Sequence, residues 1–189
     1  MKTTTQSTLK KTVYAAVMVA LAIIFKFLEI PVSGNFRLTL TMIPLMLSGI
    51  LLGPYYGFSV GCLADILLFF LRPDGNTFHL GFTLTNGLYG LIPGLMGSMF
   101  RRRNIDYTLK TLVLTAFLCE VICSLTLNNI FLSQLYGVEI MATLPFRIIK
   151  SIVMVIVESV VLNYLYRYLK PFINSNINFN KEGTNGIQK

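Results

Sequence analysis

Apolar runs of about 17–25 residues recur from one end of the chain to the other, each long enough to cross a hydrocarbon layer roughly 30 Å thick. In lipid, every backbone N–H and C=O must find its partner inside the protein, so such runs become helices or a closed barrel. A barrel needs apolar and polar residues alternating with period two, and these runs do not alternate. A soluble domain carries about 25% charged residues. Here 13% are charged and 54% hydrophobic. The expected fold is therefore all-α, an integral membrane six-helix bundle in a cell membrane.

Helices are expected over about 11–28, 38–52, 55–71, 78–100, 109–135 and 141–168. Turn chemistry separates them: Pro, Gly and Asn between Glu29 and Arg37, Gly53-Pro54, the stretch Arg72–Thr77, a basic loop from Arg101 to Tyr107, and Tyr136–Glu139. Pro93 is expected to kink the fourth helix. Residues 1–10 read as a frayed cytoplasmic tail, 11–170 as one six-helix membrane domain, and 171–189 as a polar, Asn-rich, disordered tail. The first run is too long for a signal-peptide core and lacks a small-residue cleavage site, so it reads as a retained helix.

The net charge of +8 is gathered in three clusters: Lys2, Lys10 and Lys11; Arg101, Arg102, Arg103 and Lys110; and Arg167, Lys170, Lys181 and Lys189. Six crossings put all three on one side of the bilayer, and positive loops face the cytoplasm, so both termini are expected there. Polybasic contact with anionic lipid is a secondary use of the same charge. No basic-aromatic module accompanies it, which argues against nucleic-acid binding.

Small residues recur every four positions: Gly49, Gly53, Gly57 and Gly61, then Gly90 and Gly94, and Ala16 and Ala20. This interval lets a neighbouring helix approach the backbone, the usual packing device in lipid. The glycines are expected to pack internally. Ala16 and Ala20 suit either internal packing or docking of a separate membrane protein.

Several polar residues defy the charge rule. Arg37, Arg72, Arg147 and Lys150 fall at or near outward helix ends, Asp65 about two turns below such an end, and Asn86 and Asn128 within helices. Ionisable groups in membrane segments cost roughly 2.5–3.5 kcal/mol on insertion scales and persist where they have a partner or a function. With Phe78 and Phe82 flanking His79 at the same level, this set suits a small, flat ligand with an anionic tail. Simpler roles exist for some. Arg72 can snorkel to headgroups. Asp65 can pair with a bundle arginine, His79 can be structural at the interface, and one of Arg147 and Lys150 can anchor the interface while the other points inward. Lys26 and Glu29 are expected to form a local ion pair. Glu120 and Glu158 suit internal hydrogen bonds or a partner equally well.

No G-x-x-x-x-G-K-[ST] loop is present, and the single histidine supplies neither an H-E-x-x-H metal site nor a nucleophile's base. Cys62, Cys119 and Cys123 fall inside apolar runs without metal or redox spacing and read as small core residues. No catalytic residue, metal or cofactor is expected, so the chain reads as a binding bundle rather than an enzyme, one that relies on other proteins for energy.

In order along the chain stand Ala16-x-x-x-Ala20, Ile43-Pro44, Gly53-Pro-Tyr-Tyr-Gly57 with Gly61 and Asp65, and Arg72-Pro-Asp-Gly-Asn-Thr-Phe78. Gly81-Phe-Thr-Leu-Thr85, Gly90-Leu-Ile-Pro-Gly94 and Leu144-Pro-Phe-Arg-Ile-Ile-Lys150 follow. In this order they resemble the substrate-binding S components of energy-coupling-factor (ECF) vitamin transporters, particularly the folate group. The resemblance implies a six-helix bundle that captures a vitamin from outside. It would then join a transmembrane coupling subunit and two ATP-binding subunits, with the Ala16–Ala20 face against the coupling subunit and the bundle toppling to release its cargo. For folate, Asp65 would receive the pterin's amino-pyrimidinone edge, Phe78 or Phe82 would stack on the ring, and Arg37, Arg72, Arg147 and Lys150 would hold the glutamate tail. Alternatives are another anionic vitamin such as pantothenate, an enzyme acting on lipid or isoprenoid, and a structural assembly partner.

Overall fold

A computed structural model describes residues 2–33, 36–71, 79–103, 108–137 and 140–176. Helix α1 spans Lys2–Phe27, and a two-stranded hairpin follows, β1 Ile30–Ser33 against β2 Phe36–Leu38. Then come α2 (Met42–Leu52), α3 (Pro54–Leu71) and α4 (Leu80–Arg102). Helix α5 (Leu109–Cys119) runs without a break through a π-helical segment, Glu120–Leu127, into α6 (Asn128–Tyr136), and α7 (Ile140–Asn176) closes the chain. Among the described residues, four helices are long and apolar enough to cross a membrane, over Thr8–Phe27, Pro54–Leu71, Leu109–Leu135 and Arg147–Lys170.

The structure departs from the expected boundaries at identifiable places. The segment read as a turn between Glu29 and Arg37 contains antiparallel strands, with Ile30 opposite Leu38, Pro31 opposite Arg37 and an irregular register between Pro31 and Ser33. Because Phe36–Leu38 is spent on that pairing, α2 begins at Met42 instead of 38. Pro44 then falls in its first turn, where a missing N–H costs no helical hydrogen bond. Helix α1 begins at Lys2, and α7 continues to Asn176, past Pro171. The fifth run is not a plain α-helix: the Asn128 N–H reaches Cys123 and the Thr126 hydroxyl donates to the Val121 carbonyl, both five residues back. The turn at 72–77, the loop residues 104–107 and the tail beyond 176 lie outside the described residues.

Helix α2 is the hub. Its residues Ile43 to Leu52 are all buried, and it packs against α1, α3, α4 and α7. Glycine makes this possible. A Cβ on Gly57 would lie 2.7 Å from the Gly49 Cα and 2.8 Å from the Gly90 carbonyl carbon, so three helix backbones meet at one point. Gly94 meets the Pro54 Cα in the same way, at 2.5 Å. Gly53, with φ of 101°, turns the chain from α2 into α3 in a conformation open to glycine. Gly49, Gly57, Gly61, Gly90 and Gly94 pack internally as expected, whereas a Cβ on Gly53 would meet nothing within 4 Å, so that glycine serves the turn and not a helix contact. Ala16 and Ala20 instead lie on the exposed face of α1, beside Val13, Val17 and Ile24, while Met18, Val19 and Ala22 face the core.

Chain connectivity puts the C-terminal ends of α1, α3 and α6 and the N-terminal ends of α2, α4 and α7 at one end of the bundle, with the β-hairpin. This hairpin end is the reference for depth below.

Candidate functional site

Helices α3 and α4 are antiparallel, so Asp65, six residues before Leu71, and Asn86, six after Leu80, lie at the same level, about 9 Å inside the hairpin end. Gly61 brings the backbones together there: its Cβ would meet the carbonyl carbon of Asn86 at 2.5 Å. Across that contact Asp65 Oδ1 accepts a hydrogen bond from Asn86 Nδ2 (2.7 Å) and Oδ2 accepts one from the Thr83 hydroxyl (2.6 Å). Both carboxylate oxygens are thus tied to α4. The contact clamps two helices with charge-assisted bonds, roughly twice as strong as neutral ones.

An aromatic group forms at the mouth of α4. His79 caps the helix, its Nδ1 accepting from the Gly81 N–H at 3.2 Å. The His79 ring stands 5.6 Å from Phe82 and 5.4 Å from Phe131 of α6, and the two phenyl rings meet edge-on at 6.3 Å. Such tilted and edge-on spacings are favourable between rings.

Seven residues beyond Phe82, on the same face of α4, Tyr89 reaches the π-helical segment. Tyr89, buried, donates its hydroxyl to Glu120 Oε1 at 3.1 Å, and the Ser151 hydroxyl donates to Glu120 Oε2 at 2.8 Å. Glu120 is the first residue of the π-helical segment, a distortion often found at functional sites. Arg147, Lys150, Ser151 and Glu158 fall within one stripe of α7, because intervals of three, four, seven and eleven residues return to one face. Arg147 and Lys150 are half-buried, and the charges acting on Lys150 are Glu120, Glu158, Arg147 and Lys26. Lys26 itself holds Glu29 at 2.8 Å, the ion pair expected from the sequence.

Of the residues singled out from sequence, Asp65 and Asn86 are bonded to each other, and Phe82 is in the aromatic group. Arg147 and Lys150 share the α7 stripe with Glu120's partner Ser151. Asn128 is half-buried at the start of α6. Arg37 lies on β2 opposite Pro31, with its side chain outside those described, and Arg72 and Phe78 lie outside the described residues. Sequence reasoning passed over Thr83, Tyr89, Phe131 and Ser151. A tyrosine and two glutamates inside apolar runs were the available signal for the Tyr89–Glu120 contact.

The family model for "ECF transporter, substrate-specific component" matches residues 10–166. The chain belongs to this family. Its members are transporter components, so at family level the role is binding for transport and not catalysis. Among curated relatives, the folate transporter FolT of Clostridium novyi (strain NT) is 28% identical over 172 residues, covering 89% of this chain and 96% of that one. A crystal structure of FolT bound with folic acid matches with a TM-score of 0.70 and 26% identity, over 82% of this chain and 93% of that one. The S component of a bacterial ECF transporter, at 23% identity, shares the fold with a TM-score of 0.60, over 87% of this chain and 97% of that one.

Proposed function

We propose that this S component binds folate at the hairpin end of its bundle and hands it to an ECF transport complex. The observation that carries the proposal is the half-burial of Arg147 and Lys150 on one stripe of α7, in a chain similar to a FolT whose structure holds folic acid. Two cations kept at the mouth of an apolar bundle suit the carboxylates of a glutamate tail. The rings of Phe82 and Phe131 line the entrance at that end, an aromatic surface past which a pterin can enter. In this reading Arg37, Arg72, Phe78 and Asn128 also contribute to ligand binding, and Asp65 with Asn86 supports the site from the α3–α4 side.

In this proposal the chain is multi-pass in the cell membrane, with residues 11–170 as its membrane domain. The six crossings are α1, α2, α3, α4, the continuous rod from α5 through α6, and α7. Helix α2, at 11 residues and about 16 Å, is the shortest and is sheathed by its neighbours. Six crossings place both termini in the cytoplasm with the basic clusters, and the hairpin end outside. The exposed Ala16–Ala20 face of α1 meets the transmembrane coupling subunit, through which two ATP-binding subunits supply energy.

Titrating folic acid and pantothenate into the purified protein, with Arg147→Ala and Lys150→Ala alongside, tests the proposal. Folic acid is expected to bind and pantothenate not, and each variant to weaken folic acid about tenfold to a hundredfold, the size of a lost hydrogen bond to a charged group. Binding of pantothenate in place of folic acid would move the protein to another vitamin. Unchanged affinity in Arg147→Ala would remove Arg147 from the site.

A further inference from the structure

Two buried carboxyl groups have no role in holding an anionic tail. Glu120 is 4% exposed and accepts from Tyr89 and Ser151. Glu158 is completely buried, and among the described residues neither of its oxygens accepts a hydrogen bond. A buried carboxyl group without a donor is among the most costly arrangements a protein can hold. The charges acting on Glu158 are Glu120 and Lys150, so it belongs to the same group of side chains as the proposed anion-binding cations.

The α7 stripe gives this group an order in depth. Arg147 and Lys150 stand nearest the hairpin end, Ser151 follows, and Glu158 lies 11 residues beyond Arg147, about 16 Å deeper. Cations come first and acceptors beneath them. A matching ligand carries carboxylates at one end and N–H donors at the other. Asp65 is a poorer acceptor for those donors than the sequence suggests, because Thr83 and Asn86 already engage both of its oxygens.

We propose that Glu158, with Glu120 beside it, is the specificity-determining acceptor at the floor of the site, receiving the paired N–H donors on the amino-pyrimidinone edge of a pterin. The proposal rests on the folate assignment above and adds which residues select the heterocycle. The ligand enters ring-first, and its carboxylates stay with Arg147 and Lys150. Glu120, held by two hydroxyl donors, fixes the electrostatics beside Glu158 and acts as a positioning residue.

The test is a thermodynamic cycle on the full chain in detergent micelles, using folic acid and its analogue with the 2-amino group replaced by methyl. The wild-type protein is expected to prefer folic acid at least tenfold. Glu158→Gln is expected to weaken folic acid about tenfold to a hundredfold and to erase that preference, leaving analogue binding within about threefold. Should Glu158→Gln fail to fold, Glu158→Asp, which keeps the carboxylate one methylene short, is expected to reduce the preference. A wild-type protein indifferent to the 2-amino group, or variants that keep the full preference, would overturn the assignment of Glu158 while leaving folate binding intact. Failure of the wild-type protein to bind folic acid would overturn both.

Discussion

Replacing Gly90 with alanine should open the centre of the bundle. A Cβ there would stand 2.9 Å from the Gly57 Cα and closer still to the Gly57 carbonyl. Carbon atoms pack best at about 3.5–4.0 Å. Helices α3 and α4 would therefore have to separate by roughly 1 Å, and the obstacle is backbone that no rotamer change can relieve. Overpacking of this kind costs about 1–3 kcal/mol. For a chain of this length that corresponds to a fall in Tm of roughly 2–12 °C, at about 2–4 °C per kcal/mol. Because Gly49, Gly57 and Gly90 meet at one point, Gly49→Ala and Gly90→Ala combined should cost less than the sum of the two, since the first already forces the helices apart. Thermal denaturation in detergent, followed by size-exclusion chromatography or intrinsic tyrosine fluorescence, measures each variant against Leu95→Ala, whose side chain is exposed. A Gly90→Ala protein with the Tm of Leu95→Ala would refute the three-backbone contact.

Other substitutions probe the remaining contacts. In a double-mutant cycle, Asp65→Ala and Asn86→Ala should show a coupling of about 0.6–1.7 kcal/mol in stability, between the average and the largest values for hydrogen bonds between membrane helices, and additive effects would deny the clamp. Tyr89→Phe removes one of the two hydroxyl donors to Glu120 and should destabilise the protein by about 1–3 kcal/mol; an unchanged Tm would mean the bond contributes nothing. Ala16→Leu with Ala20→Leu should leave folic acid binding by the isolated protein unchanged and abolish co-purification with the coupling subunit, whereas retained co-purification would place that interface elsewhere.

What was legible in the sequence is what depends on local pattern. Run lengths marked the helices, the four-residue glycine interval marked where backbones touch, and Lys26 and Glu29, three apart, announced their ion pair. The β-hairpin was hidden because the Pro and Gly of residues 29–37 have the same composition in a turn as in a short strand pair. The π-helical segment was hidden because an extra residue per turn answers to tertiary packing and leaves no residue-type signature. Asp65 stood out as an unexplained carboxylate in an apolar run. Its donors, Thr83 and Asn86, are 18 and 21 residues away and come into reach only when α3 and α4 pack through Gly61. Glu120 finds Tyr89 and Ser151 across 31 residues in each direction, a separation no helical period encodes. The basic pair on α7 was visible in the sequence because cations at a helix end expected to face outward oppose a topological preference, and that anomaly is local.

Native mass spectrometry of the protein purified from cells supplied with folate tests the central claim most directly. A bound species with the mass of a folate, lost from a Lys150→Ala, Arg147→Ala double variant, is the expected result. A protein that emerges with no adduct and gains none on adding folic acid, or that carries a different vitamin, would contradict it.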